Sequence, residues 1–216
     1  MTIWHELIPR LHIQDQPPPD SWRRCYEAKY ALARLLRPAS ILEFGVRAGY
    51  SAFAFLSACP NGRYVGIDNN SDTHGGFSGA IEHARSLLSG FEATIHQQSS
   101  TEYMQEFREG DETQQTEQPN PFPSFELVHV DGDHSFHGCL GDLEAAVKFW
   151  PRAILVDDYW RIPEVHAACD RFAMKRATEF VRLVLDDSHN GATLFVPLYC
   201  AAASQLSTVA KQCDPK

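Results

Sequence analysis

The stretch that most constrains the fold runs Ser40-Ile41-Leu42-Glu43-Phe44-Gly45-Val46-Arg47-Ala48-Gly49-Tyr50-Ser51. A compact apolar run passes through two glycines into GYSAFAFLSA, whose composition suits a helix. Together they read as a strand, a tight turn and a helix. Gly45 permits the turn and the close approach of a ligand, and Gly49 lets the helix pack near the strand. Two glycines alone also describe an ordinary strand-to-helix turn. Two acids strengthen the ligand reading. Glu43 sits in the last turn of the strand, where a carboxylate needs a partner. Asp68 ends the next apolar run, RYVGID. It falls about 20 residues on, where an acidic side chain accepts hydrogen bonds from ribose hydroxyls.

The alternation continues along the chain. A helix is expected over 21–36, behind a Pro-Pro-Pro-Asp entry and closed by Pro38. Strands are expected at 40–44, 63–67, 92–97, 125–131 and 153–157. Helices fall between and after them, at 49–58, 77–88, 101–108, 135–149 and 162–176. The polar, proline-bearing segment 109–124 reads as a surface loop. Segments 179–187 and 192–199 flank Ser-His-Asn-Gly, a turn that joins antiparallel strands. The expected fold is therefore α/β: a doubly wound, Rossmann-like, mostly parallel seven-stranded sheet with an antiparallel C-terminal hairpin strand. One domain spans 1–216, with a helical extension over 1–38 and a tail over 201–216. Ligands of such sheets bind beyond the carboxyl ends of the strands, near the topological switch point.

Composition narrows the partners. The chain has 216 residues, 44% of them hydrophobic, enough for one core and short for two. A formal net charge of -9 repels phosphate backbones, so a small-molecule substrate is expected and a nucleic acid is not. The opening MTIWHELIPRLHIQ lacks the pattern of a signal peptide, and nowhere do about eighteen apolar residues run together, so no membrane partner is expected. The six cysteines are scattered without a C-x-x-C pair, which suits reduced thiols in a cytoplasm.

ILEFGVRAGYS resembles the first motif of class I S-adenosylmethionine-dependent methyltransferases, and Asp68 resembles their ribose-binding acid. The resemblance implies that Glu43, Gly45 and Gly49 surround the methionine end of the cofactor, that Ser51 also binds the cofactor, and that Ser99 or Ser100, after the third strand, lies near the adenine. A nicotinamide-dependent oxidoreductase would use a similar turn. It would normally place a second glycine where Arg47 stands, to admit a pyrophosphate.

A second acidic cluster follows. The fourth strand runs out in His129-Val130-Asp131-Gly132-Asp133-His134-Ser135, the fifth in Val156-Asp157-Asp158-Tyr159. Neighbouring strands lie about 4.8 Å apart, so these carboxylates crowd one sheet edge, and a divalent cation such as Mg²⁺ would relieve their repulsion. A solvated acidic rim, with Asp133 or Ser135 capping the next helix, is the plainer alternative. The pair of motifs resembles the metal-dependent small-molecule O-methyltransferases related to those of cephalosporin and macrolide-sugar biosynthesis. That resemblance implies Asp131, Asp157 and Asp158 as Mg²⁺ ligands, with Asp131 also facing the cofactor. Its chemistry is a metal that lowers the pKa of an acceptor hydroxyl held in line with the methyl group.

Asp133 or His134 lies close enough to act as the base, though His134 also suits a cap or a ligand role. His134 and His137, three apart, together with His129 also admit a zinc reading. For substrate recognition the candidates are the 21–36 helix with Trp22, Tyr26 and Tyr30, the loops 71–79 and 109–124, and Tyr159-Trp160. Tyr26 and Tyr30, at helical spacing, fit core packing better, whereas Tyr159-Trp160 follow the acid pair directly. The N-terminal aromatics also suggest a homo-oligomeric contact, and a cofactor-binding domain without turnover is a further alternative.

Overall fold

In the computed structural model, which describes residues 2–16, 18, 20–71, 76–109, 122–185 and 190–199, the apolar runs become seven strands of one sheet. These are β1 (Ser40–Phe44), β2 (Arg63–Asp68), β3 (Ala93–Gln97), β4 (Leu127–Val130), β5 (Ala153–Val156), β6 (Phe180–Leu185) and β7 (Ala192–Pro197). Their order across the sheet is β3-β2-β1-β4-β5-β7-β6. All neighbours are parallel except those of β7, which runs antiparallel between β5 and β6. The last strand in sequence is thus an inner one. The expected mixed α/β sheet is the observed one.

Helices cover both faces. They are α1 (Ile3–Leu7), α2 (Asp20–Leu36), α3 (Tyr50–Ala58), α4 (Ala80–Leu87), α5 (Ser100–Glu109), α6 (Phe136–Val147) and α7 (Pro163–Lys175). Strand pleating divides the core accordingly. Ile41, Tyr64, Leu127 and Leu155 point toward α2, α3 and α4. Leu42, Val65, Val128 and Val156 point toward α6 and α7. α1 had no signal in the apolar periodicity. It buries Ile3, Trp4 and Leu7, and Trp4 stacks on Tyr26 of α2. Trp4 is thus packed within the chain, while Trp22, Tyr26 and Tyr30 of α2 stay partly exposed.

Helix starts follow local chemistry. Ser99 and Glu102 form a reciprocal cap at α5: the Ser99 amide and hydroxyl donate to the Glu102 carboxylate, and the Glu102 amide donates to the Ser99 hydroxyl. Ser135 caps α6 by accepting from the Gly138 amide at 3.0 Å. Most of the 109–124 loop, part of 71–79 and the 201–216 tail lie outside the described residues. Among the described residues, no helix is long and apolar enough to cross a membrane.

Candidate active site

The sheet's switch point lies between β1 and β4, and their following turns meet backbone to backbone. Gly45 has φ +87°, and a Cβ there would stand 2.0 Å from the Asp131 carbonyl oxygen. Only glycine fits. The Gly45 amide donates to Ile67 at 2.8 Å and the Asp131 amide to Phe44 at 2.8 Å, so both turns are pinned. Gly49 has φ +79° and serves α3 differently from the expectation: its missing Cβ makes room for Ala84 of α4, not for the strand.

Asp68 does two jobs. One of its oxygens accepts from the amides of Val46 at 2.8 Å and Arg47 at 2.7 Å, holding the glycine turn in shape. The other accepts from the Asn70 amide at 2.7 Å and keeps capacity for a further donor. The turn is also tied to the N-terminal segment. The Arg47 guanidinium pairs with Asp15 at 2.6 Å, and the Tyr50 hydroxyl donates to the same carboxylate at 2.6 Å.

Beyond these strand ends lies a cavity of about 1190 Å³. The glycine turn, Asp68, Ser99 and Ser100 line one part of it. Asp131, Asp133, His134, Asp157 and Asp158 line another, with Trp22 and Tyr26 of α2 above. Gly45 and Ser51 face the same space, whereas Glu43 and Gly49 are not among its walls.

Glu43 instead belongs to a buried polar chain on the α2/α3 face. It accepts from the Tyr64 hydroxyl and lies 2.7 Å from Nδ1 of His129. Gly66, opposite Glu43 in the register, leaves room for the Tyr64 hydroxyl, since a Cβ there would approach it to 2.7 Å. His129 Nε2 faces Asp157 at 3.4 Å. Asp157 in turn pairs with Lys29 of α2, whose ammonium also donates to the Ser51 hydroxyl at 2.8 Å. Burial opposes charge on His129, but the field of Asp157 and hydrogen bonds to Asp157 and Glu43 outweigh it and push the imidazole up to about 9. Burial also opposes charge on Asp157. Lys29 and His129 overcome that and hold it well below the usual carboxylate range. Asp157 is thus buried with Lys29 and His129 beside it to offset its charge.

A second, more open cluster lies beside it. His134 Nε2 stands 3.4 Å from Asp131 and 3.1 Å from Asp158. Burial works against its charge, but hydrogen bonds to both carboxylates prevail and push it up to about 10. Asp158 reaches in from a left-handed backbone, φ +59°. That turn is clamped from both sides: the Tyr159 amide donates to Gly191 at 3.1 Å, and the Trp160 amide to Asn190 at 2.7 Å.

A family of sequences described as a methyltransferase domain matches residues 42–159, more than half of the chain. The chain belongs to this methyltransferase family. No curated protein matches it in sequence. Among solved structures, the Bacillus cereus O-methyltransferase, solved with S-adenosylhomocysteine, shares 17% identity at TM-score 0.58, covering 90% of this chain and 88% of that one. A Podospora anserina methyltransferase bound to S-adenosylhomocysteine shares 18% at TM-score 0.59, covering 90% and 85%. The Streptomyces achromogenes O-methyltransferase of tomaymycin synthesis, in complex with S-adenosylmethionine, shares 21% at TM-score 0.56, covering 80% and 79%. At these identities the likeness is one of fold.

Several residues of the methyltransferase stand differently from their sequence reading. Ser99 spends its hydroxyl on the α5 cap, and the Ser100 hydroxyl donates to Asp142, a buried acid that carried no sequence signal of its own. Asp133 accepts from the Ser135 amide at 2.8 Å and packs on Gly138, where a Cβ would come within 2.1 Å of its carboxyl carbon. One of its oxygens is thus used as a turn acceptor, at the cavity's edge. Asp131 and Asp158 favour the protonated form of His134. Asp157 is matched by Lys29, which no spacing rule connects to it.

The aromatic expectations reverse. Trp22 and Tyr26 line the cavity, whereas Tyr159 is buried in the core against His166, and Trp160 lies over Gly191. The left-handed turn at Asp158 throws both rings away from the carboxylates. Of the histidines in the zinc reading, His129 is fully enclosed, while His134 and His137 face the cavity.

Proposed function

We propose that this methyltransferase transfers the methyl group of S-adenosylmethionine to a hydroxyl oxygen of a small molecule, assisted by a divalent cation, for which the acidic motifs suggest Mg²⁺. The observation that carries the reading is continuity: one cavity joins Asp68 and the glycine turn to Asp131 and Asp158. A ribose held by Asp68 and an acceptor held at the carboxylates would share one cavity. The solved neighbours that contain S-adenosylmethionine or S-adenosylhomocysteine support the same cofactor here.

The residues fit a cation. Asp158 is buried, and its Oδ1 has no hydrogen-bond partner among the described residues. An orphaned buried carboxylate oxygen is costly unless a ligand meets it. Asp131 and Asp158 would hold the ion, which supplies positive charge that lowers the pKa of the acceptor hydroxyl. Trp22 and Tyr26 offer flat apolar surface against which the acceptor is oriented and water excluded. The acceptor proton leaves toward the open side, where Asp131, 27% exposed, is the most accessible of the three carboxylates. The acceptor oxygen bonds the methyl carbon as its bond to sulfur breaks, leaving S-adenosylhomocysteine.

Calorimetric titration with S-adenosylhomocysteine, with and without Mg²⁺ and with NAD as control, tests this reading. Binding of the adenosyl ligand, weakened in Asp68→Ala, is expected. A preference for NAD, or no binding, would remove it.

A further inference from the structure

We propose that Asp15 is a positioning residue of the cofactor site: it holds the Arg47 guanidinium in the cavity wall, where Arg47 takes the carboxylate at the methionine end of S-adenosylmethionine. The proposal rests on the methyl-transfer reading, since it assigns residues to that reading's cofactor.

Asp15 arrives from outside the stretch that the methyltransferase family matches, residues 42–159. A short 3₁₀ turn, Ile13–Asp15, brings its carboxylate against the glycine turn, with 6% of the side chain exposed. A carboxylate buried there needs partners. It has the Arg47 guanidinium at 2.6 Å and the Tyr50 hydroxyl at 2.6 Å. That hydroxyl in turn accepts from the His12 amide at 2.7 Å, and the His12 ring stacks on Phe77 at 4.1 Å. The N-terminal segment is thus clasped to the start of α3 and to the approach to α4.

Arg47 is fixed at both ends. Its backbone lies in the left-handed region, φ +48°, with its amide on Asp68. A residue with a Cβ keeps such a conformation only where its surroundings impose it, and ligand clamps are a common place for that. Its guanidinium lies 5.7 Å from the ring centre of Trp22, 5.9 Å from that of Tyr50 and 5.6 Å from that of Phe77. Arg47 lines the cavity, whereas Asp15 is not among its walls. A planar guanidinium with five donors can serve two carboxylates at once. S-adenosylmethionine carries one anionic group, the carboxylate of its methionine portion. It also carries a sulfonium and an ammonium, which an uncompensated guanidinium would repel. Asp15 offsets that charge and keeps the donor fork in place.

Calorimetric titration can compare S-adenosylhomocysteine with methylthioadenosine, which keeps the adenine, ribose and sulfur but lacks the carboxylate. In Asp15→Ala, affinity for S-adenosylhomocysteine is expected to fall about tenfold or more, with methylthioadenosine within about twofold of wild type. Arg47→Gln should show the same split. Asp15→Asn, the same shape without the charge, should show it in smaller measure, and it carries the test if Asp15→Ala does not fold. The Asp15→Ala/Arg47→Gln double variant should bind S-adenosylhomocysteine within about twofold of Arg47→Gln alone. A merely structural tie would weaken both ligands alike. Equal losses for the two ligands, unchanged affinity in the Asp15 variants, or losses that add in the double variant would each overturn the proposal. The wild type separates this proposal from the wider reading. If it binds both ligands while the variants show no split, only the roles of Asp15 and Arg47 fall. If it binds neither, the methyl-transfer reading falls with them.

Discussion

Lys29 on α2 and Asp157 at the end of β5, 128 positions apart in the chain, form a largely buried ion pair in the cavity wall, with side-chain exposures of 5% and 11%. Breaking such a pair from one side leaves an uncompensated buried charge, which typically costs about 3–5 kcal/mol. Lys29→Ala is therefore expected to lower unfolding stability by about that much in urea titrations at pH 7. The Lys29→Ala/Asp157→Ala double variant should recover a large part of the loss. A double variant no more stable than the single one would contradict the pairing.

His129 ties stability to pH. Its folded pKa of about 9 lies above its ordinary 6.5. The stabilisation is fully present below about pH 6.5 and is lost as pH rises through 9. Its size is on the order of 3 kcal/mol. Metal-free protein followed by chemical denaturation from pH 6 to 10 should lose stability across that window. His129→Gln should flatten much of the slope, with His134 contributing a remainder of the same sign.

Asp142 acts in the opposite sense from a paired carboxylate. Burial pushes it up to about 6, despite the hydrogen bond from Ser100. Since its folded pKa exceeds the ordinary 3.8, stability falls as pH rises from about 4 to 6, and above 6 a penalty persists. Asp142→Asn keeps an acceptor for Ser100 without the charge. At pH 7.5 it should stabilise the fold by about 1–3 kcal/mol, read as a higher thermal midpoint. No gain would mean that Asp142 is better solvated than its burial indicates.

Gly45→Ala and Gly141→Ala should part company. The first places a Cβ against the Asp131 carbonyl at a positive φ and is expected to cost more than about 3 kcal/mol and to abolish S-adenosylhomocysteine binding. The second meets nothing within 4 Å, in the interior of α6, and should stabilise by about 0.5–1 kcal/mol. Thermal unfolding of both variants checks the contrast.

Tyr64→Phe separates the interior chain from the cavity. It removes one donor from Glu43, which stands behind the cavity walls, and should cost about 1–3 kcal/mol of stability. Cofactor affinity should stay within about twofold of wild type, the size of a few tenths of a kcal/mol. A larger loss would place Glu43 in cofactor binding.

The fold was legible because strand and helix signals alternate in short, strongly patterned segments, from SILEF to ATLFVP. The polar residues that gather at the sheet edge were legible too, since each ends a strand. What they do there was not. Spacing put Asp157 beside Asp131, but only the docking of α2 brings Lys29 to it, and no periodicity encodes a contact across such a separation. Glu43 signalled its need for a partner; His129 and Tyr64 supply it from neighbouring strands. The Ser-x-x-Glu cap at Ser99 was readable as well. Tyr159 misled for a conformational reason, since the left-handed turn at Asp158 has no mark in the residue type.

The clamp of Asn190 and Gly191 on the turn after Asp158 sets an order of assembly. α2 is synthesised early, but its lysine has no counter-ion until β5 has been made. The turn that aims Asp158 has nothing to lean on until the chain has returned through β6 to the hairpin. A nascent chain halted between β5 and β7 would already carry the glycine turn, Asp68 and the Lys29–Asp157 pair, yet it would lack the clamp on the turn at Asp158. The wall of the cavity at Asp158 is therefore completed only by residues that follow β6 in the chain.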